Sequence, residues 1–249
     1  MESSKSQELD IVEKSLLSLR KEDNPLKWAN LMNIKGILLG GKGIYKEAEG
    51  AFIDALSTAD TELKCKILIN YAKIRFFNND IKGALEILGK VFEITKTVRQ
   101  SLYNLYLGYA HLLRGQIFYF TKRDKDALSE FRKAEFYFEG CADLRGAGLS
   151  CLESARIYVK GKNLTTAWNF LRKSEGFLRR LGDEERFGVA VCKGVALHFS
   201  GKEEEALAVL REVYEKGEGF GEGHYTMDEV LDAYLNTRSR MLQYQKALM

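Results

Sequence analysis

Small and apolar residues recur along the chain in a long, nearly regular series. Gly36 lies in an apolar stretch, and Ala48, Phe52 and Ala55 follow it at +12, +16 and +19. Steps of four and three residues keep Ala48, Phe52 and Ala55 on one face of a helix. The series returns as Ala72 with Ala84, Leu88 and Val91, and as Gly115 with Ala127, Phe131 and Ala134. It returns again as Ala155 with Ala167, Leu171 and Ser174, and as Gly194 with Ala206, Leu210 and Val213. Each occurrence predicts an antiparallel helix pair. The small residue on the first helix and the alanine on the second allow close approach. The bulky residue one turn later fills the space toward the next pair. One pair cannot bury its apolar face alone, so the pairs are expected to stack as a solenoid.

This pattern resembles the tetratricopeptide (TPR) repeat family over about residues 25–215, as five divergent repeats. Residues 29–62 match best, with Gly36, Gly43, Tyr45, Ala48, Phe52, Ala55 and Leu56 on the family pattern. The steps between the alanine markers are 36, 43, 40 and 39 residues, which departs from a strict 34. The usual aromatic near the start of the first helix is replaced by Met32, Leu68, His111, Cys151 and Ala190. The proline that often closes a repeat is absent. The resemblance implies an all-α fold, a right-handed superhelical solenoid of antiparallel helix pairs.

The ends read as caps, within what is expected to be a single domain. Residues 1–24 are expected to form an N-terminal capping helix. Ser4 and Gln7 have capping-box spacing, and Leu9, Val12, Leu16 and Leu19 form an apolar stripe. Asn24-Pro25 reads as N-cap and first residue of the next helix. Residues 216–225 form a Gly-rich connector whose glycines do not fit a phosphate loop, lacking a preceding strand and a Lys-Ser/Thr. Residues 226–249 are expected to be a C-terminal capping helix, or one that folds into the groove.

Composition narrows the function. The chain has 249 residues, 45 % hydrophobic and 29 % charged, enough for a core without disulfide or metal staples. A single proline favours helices over turn-rich strand folds. Net charge is only +3, which gives no general drive toward nucleic acid or acidic membrane. It is uneven, however: residues 60–135 carry 14 basic and 9 acidic groups, and residues 186–232 carry 5 and 10. The start has no apolar signal segment, and no run reaches the roughly 18 apolar residues of a membrane span. Cys65, Cys141, Cys151 and Cys192 form no C-x-x-C pair, which suits reduced thiols in the cytoplasm. With His111, His198 and His224 they form no zinc spacing, so no metal and no cofactor are expected. The run Glu203-Glu204-Glu205 is explained by a helix N-terminus. No catalytic motif is present, and the chain is expected not to be an enzyme.

In the TPR family, ligands lie along the concave surface lined by the first helix of each repeat. Carried over to this chain, that surface comprises Asn30, Asn33, Ile37, Lys66, Ile69, Asn70, Lys73, Phe76 and Phe77 from the first two repeats. Tyr109, Leu112, Gln116 and Tyr119 come from the third, Leu152 and Arg156 from the fourth, and Val195 and His198 from the fifth. Tyr103, Tyr106, Tyr109, Phe118, Tyr119 and Phe120 are the strongest aromatic concentration in the chain. Members that clamp acidic chaperone tails use Lys, Asn and Arg in three successive repeats. Here Asn70, Lys66 and Lys73 have Asn33, Ile37, Tyr109 and Leu113 as counterparts, so such a clamp is incomplete. What remains is an apolar, aromatic groove, suited to a peptide or helix of a partner protein. The expected function is a non-enzymatic scaffold or adaptor. The alternatives are a peptide-sensing regulator acting in trans and a homo-oligomeric assembly module, so a homodimer is admitted. Nucleic acid is disfavoured and no membrane partner is expected.

Overall fold

A computed structural model describes residues 2–96, 100–179 and 183–216. Eleven helices and no strand occur among them. They are α1 (Glu2–Leu17), α2 (Pro25–Gly41), α3 (Tyr45–Leu56), α4 (Thr61–Phe77), α5 (Ile81–Lys96) and α6 (Gln100–Phe120). Then follow α7 (Asp124–Gly140), α8 (Leu144–Lys160), α9 (Leu164–Leu178), α10 (Asp183–Phe199) and α11 (Glu203–Lys216). The fold is all-α, as the spacing predicts. The Gly-rich connector beyond Lys216 and the C-terminal helix expected at 226–249 lie outside the described residues.

The helix starts have local causes. Asn24 Oδ1 accepts the Lys27 N–H at 3.0 Å, with Pro25 opening α2. Asp60 Oδ1 accepts the Leu63 N–H at 2.8 Å and starts α4. Asp143 and Asn163 do the same for α8 and α9. Each cap satisfies a backbone donor that the helix itself leaves open. The expected capping box at Ser4 and Gln7 is not how α1 begins. The helix already starts at Glu2, so Ser4 lies inside it.

Each first helix ends in the same way. Gly43, Asn79, Lys122, Lys162 and Gly201 all have positive φ, between 57° and 76°. Each stands five residues before the alanine marker of its pair. In α2, the Ile44 N–H returns to Leu39 O at 3.0 Å and the Gly43 N–H to Gly40 O at 3.0 Å. The equivalent bonds at the α8 end run from Asn163 to Tyr158 O and from Lys162 to Val159 O, both 2.9 Å. This is the Schellman closure, in which a left-handed residue turns the chain back on itself. It delivers the second helix antiparallel to the first within three residues.

All twenty positions of the sequence series are buried. The close approach is visible at the glycines. A Cβ on Gly36 would lie 2.7 Å from the Phe52 ring, and one on Gly194 would lie 2.6 Å from Leu210. In both cases the obstructing side chain is the bulky residue at +16. Burying a side chain of that size stabilises the fold by about 1.5–3 kcal/mol.

The chain divides into two compact units, 1–117 and 118–249, with the division falling inside α6. In the first, α1 packs on α2, α2 pairs with α3 and α4 with α5. Its core includes Phe52, Ile67, Leu88 and Val91, with Phe52 stacked on Tyr71 at 5.6 Å. In the second, α8 is the most enclosed helix, packed against α7, α9 and α10, and α10 pairs with α11. Three of its helices are also tied by polar groups. Buried Glu135 of α7 accepts from the Cys151 thiol of α8 at 3.4 Å and from the Lys173 ammonium of α9.

Two identical substitutions should have opposite effects. Gly50 is exposed on α3, and a methyl group added there would meet nothing within 4 Å. Gly50→Ala should therefore raise stability by about 0.5–1 kcal/mol through helix propensity alone. Gly36→Ala forces the buried Phe52 ring aside and should lower it by about 1–3 kcal/mol. Urea-unfolding midpoints followed by circular dichroism would check both. Equal shifts would mean that Gly36 is not a contact point.

Candidate functional site

The first unit carries a cavity of about 680 Å³ between α2, α4 and α6. Leu26, Leu31 and Ile34 of α2 and Leu63 of α4 form its apolar wall. Lys27, Lys66 and Asn30 stand at its polar margin. Tyr106 of α6 closes one side, its Oη donating to Glu62 at 3.0 Å. Burial, and then the adjoining Glu62 carboxylate, push the Tyr106 phenol well above its ordinary range. Its proton therefore stays in place as the donor to Glu62. The second nearby acid, Asp60, is used as the α4 cap. Lys27 and Lys66 have no ion-pair partner among the described residues.

The apolar face continues beyond the cavity by helical spacing. Ile34 and Ile37 are each 40 % exposed, and Phe77, farther along α4, is 53 % exposed. The Lys73 ammonium lies 5.4 Å above the Phe77 ring. Between these helices, Asn70 Nδ2 donates to the buried Asn33 Oδ1 at 3.1 Å. The Asn33 Nδ2 is itself buried without an acceptor among the described residues. This polar bridge sits among apolar contacts, where an unmet donor costs about 1–3 kcal/mol.

The residues expected along the first helices are placed unevenly. In the first unit, Ile37, Lys66 and Lys73 are exposed, and Ile69, Asn70, Phe76, Tyr109 and Gln116 are half-buried. Asn33 and Leu112 are buried, so they support the face from beneath. In the second unit, Leu152 and His198 are buried and Val195 packs against the core. Arg156 is bound to buried Glu153 at 3.0 Å, His198 Nδ1 lies 3.1 Å from Glu203, and Tyr119 lies under the Lys160 ammonium at 4.9 Å. These five are held by internal contacts. Of the expected surface, Asn30 and Lys66 line the α2–α4–α6 cavity, as does Tyr106 from the aromatic concentration; Leu26, Lys27, Leu31, Ile34 and Leu63 were not expected there. Ile34 stands one turn before Ile37 and Leu63 one turn before Lys66, both of which were expected.

A second cavity of about 470 Å³ lies in the second unit, walled by Trp168 and Leu171. Its Lys193 is paired with Glu175 and its Lys202 with Glu205, each at 2.9 Å. Its charge is largely satisfied from within, unlike that of the α2–α4–α6 cavity.

Cys65 and Cys151 are poorly suited to act as nucleophiles. Burial, reinforced by Glu62, pushes Cys65 up to about 11, and burial with Glu135 pushes Cys151 higher still. Both stay protonated at neutral pH, and the thiolate is the reactive form. No group of three or more His, Cys, Asp or Glu residues suited to a metal ion occurs among the described residues. Iodoacetamide at pH 8 should therefore modify the half-buried Cys141 first and leave Cys65 and Cys151 protected until the chain unfolds. Peptide mass mapping would show this, and early labelling of Cys151 would contradict its burial beside Glu135.

No protein-family model matches the chain, and no curated protein matches it. Solved structures do. BtubC (BKLC) from P. vanneervenii superposes with a TM-score of 0.67 at 12 % identity, covering 90 % of this chain and 93 % of that one. The apo form of RapI gives 0.61 at 14 % identity, over 94 % and 69 %. A kinesin-light-chain array of TPR-like repeats from Podosopora anserina gives 0.57 at 17 % identity, over 74 % and 92 %. At such identities the likeness concerns architecture, and the chain has the TPR-like helical-repeat fold.

Proposed function

We propose that this chain is a non-enzymatic adaptor that holds a helix or apolar peptide segment of a partner protein on the α2–α4–α6 face. The observation that carries this reading is an open apolar face, formed by Leu26, Ile34, Ile37 and Phe77, edged by Lys27 and Lys66, which have no ion-pair partner among the described residues. Single exposed apolar residues are common on protein surfaces, whereas a contiguous set beside a cavity marks an interaction site. Side chains spaced along two neighbouring helices can receive anchors at i, i+3/i+4 and i+7 of an amphipathic helix. The two ammonium groups favour a partner segment with carboxylates beside its apolar stripe. Structures of the same fold support the reading only as architecture. Function has to come from the face itself.

The reading is tested by affinity capture from native lysate. Ile34→Glu and Ile37→Glu change exposed positions and should keep the wild-type circular dichroism spectrum and melting temperature. They should lose the captured partner, with affinity reduced at least about tenfold, because a buried, unpaired carboxylate is costly at an apolar interface. A partner retained undiminished by both folded variants would move binding elsewhere. A sizing column run on the pure protein tests the self-associating alternative: a dimer dissociated by Ile37→Glu would make a second copy the occupant.

A further inference from the structure

The turns after α6 and α8 carry a feature that the α2–α4–α6 face does not explain. The left-handed position of a Schellman turn favours glycine, and Gly43 and Gly201 occupy it in the first and last pairs. In the third and fourth pairs it is held by Lys122, φ 63°, and Lys162, φ 57°. A lysine there is strained relative to glycine. Both side chains are exposed.

The two turns form one edge within the second unit. Lys160, from the α8 end, reaches over Tyr119 at 4.9 Å and toward Asp124 at 3.5 Å. Lys162 lies over the Phe199 ring at 5.5 Å, joining the end of α10 to the same edge. Across residues 118–126 and 158–163 there are five cations, Lys122, Arg123, Lys125, Lys160 and Lys162, against Asp124 and Asp126, while the α10 end that supplies Phe199 is followed by Lys202 and by Glu203, Glu204 and Glu205. Asp124 and Asp126 are engaged by Lys160 and Arg123. Lys122, Lys125 and Lys162 have no carboxylate partner among the described residues. Beside them Phe120 is 59 % exposed and Phe199 41 % exposed.

We propose that this edge docks on an anionic bilayer surface, with Lys122, Lys125 and Lys162 at the lipid phosphates and Phe120 and Phe199 at headgroup depth. Three observations favour a bilayer over other anionic partners. The backbone N–H groups of Lys122, Arg123, Lys162 and Asn163 are already spent within the turns, leaving none for an added peptide strand. Ring faces are covered by cations, Arg123 on Phe118, Lys160 on Tyr119 and Lys162 on Phe199, which leaves a poor stacking platform for single-stranded bases. Four of the five cations are lysines, flexible point charges suited to a diffuse field of phosphates. A fluid surface needs neither a pocket nor free backbone, only charge and a few interfacial rings. The contact is peripheral, since no helix among the described residues is long and apolar enough to cross a membrane. The proposal departs from the expectation of no membrane partner, which rested on net charge and the lack of a span. It is independent of the α2–α4–α6 reading.

The test is co-sedimentation of the full chain with phosphatidylcholine vesicles, with and without phosphatidylserine. Binding is expected only with phosphatidylserine, and it should weaken as salt is raised. The informative variant is Lys122→Gly/Lys162→Gly. Glycine relieves both left-handed positions, so this variant should melt at or above the wild-type temperature. Its partition onto phosphatidylserine vesicles should nevertheless fall by roughly tenfold or more. Phe120→Ser should lower partition several-fold without altering its salt dependence. Equal binding to neutral vesicles, or undiminished binding by the double glycine variant, would overturn the proposal. So would retention by a single-stranded oligonucleotide or an acidic peptide under conditions where the anionic vesicles fail to hold the protein.

Discussion

The closeness of the paired helices is the constraint on which the remaining structure depends. Gly36 leaves room for the Phe52 ring and Gly194 for Leu210, where a single added methyl would collide. At that separation the two backbones need a turn of only a few residues. A chain reversing so tightly passes through a left-handed residue, and Gly43, Asn79, Lys122, Lys162 and Gly201 supply it. Contact distance, turn chemistry and repeat length are therefore one condition seen at three levels. It also decides what is left exposed: one face of the first helices, and the edge where the turns lie.

The core was legible in the sequence because it imposes size at fixed intervals. A position that admits only Gly or Ala, followed by an alanine and then a Phe or Leu, survives wide variation elsewhere. Spacings of 36 to 43 residues did not obscure it, since each interval is read within one pair. Asn24-Pro25 was legible for a local reason, as an N-cap and a first residue lacking an N–H. Ser4 misled because capping-box spacing says only where a start is allowed. The chain continues the helix back to Glu2.

The open face was harder to read. In α2 and α4 apolar residues surround the helix, because one side meets the paired helix, another meets the next repeat and a third faces the cavity. Periodicity then gives no preferred direction, and Leu31 and Ile34 look no different from Leu39 or Ala29. The family's concave positions came within one turn of the cavity but took in Leu112 and Leu152, whose burial belongs to the core. In the second unit, Arg156 and His198 looked available by position. Their partners, Glu153 and Glu203, became apparent only in three dimensions. The left-handed lysines were invisible for a different reason. Glycine announces such a turn and lysine does not, although the five-residue offset to the alanine marker identifies both once the first turn is known.

The two exposed regions ask for different chemistry. On the α2–α4–α6 face, apolar area dominates and two lysines edge a cavity, so shape and anchors set the affinity. On the α6–α7 and α8–α9 edge, the charge that lacks a carboxylate partner among the described residues is on long lysine stems. The strained lysines argue that the charge there is not incidental to folding, because glycine, already used in two of the five turns, would fold more easily. Repeat proteins keep their core positions and vary their surfaces, and here the variation reaches into the turn residue itself. Asn79 and Ala142 also run against the local conformational preference, so what sets the two lysine turns apart is the exposed charge they carry rather than the strain alone.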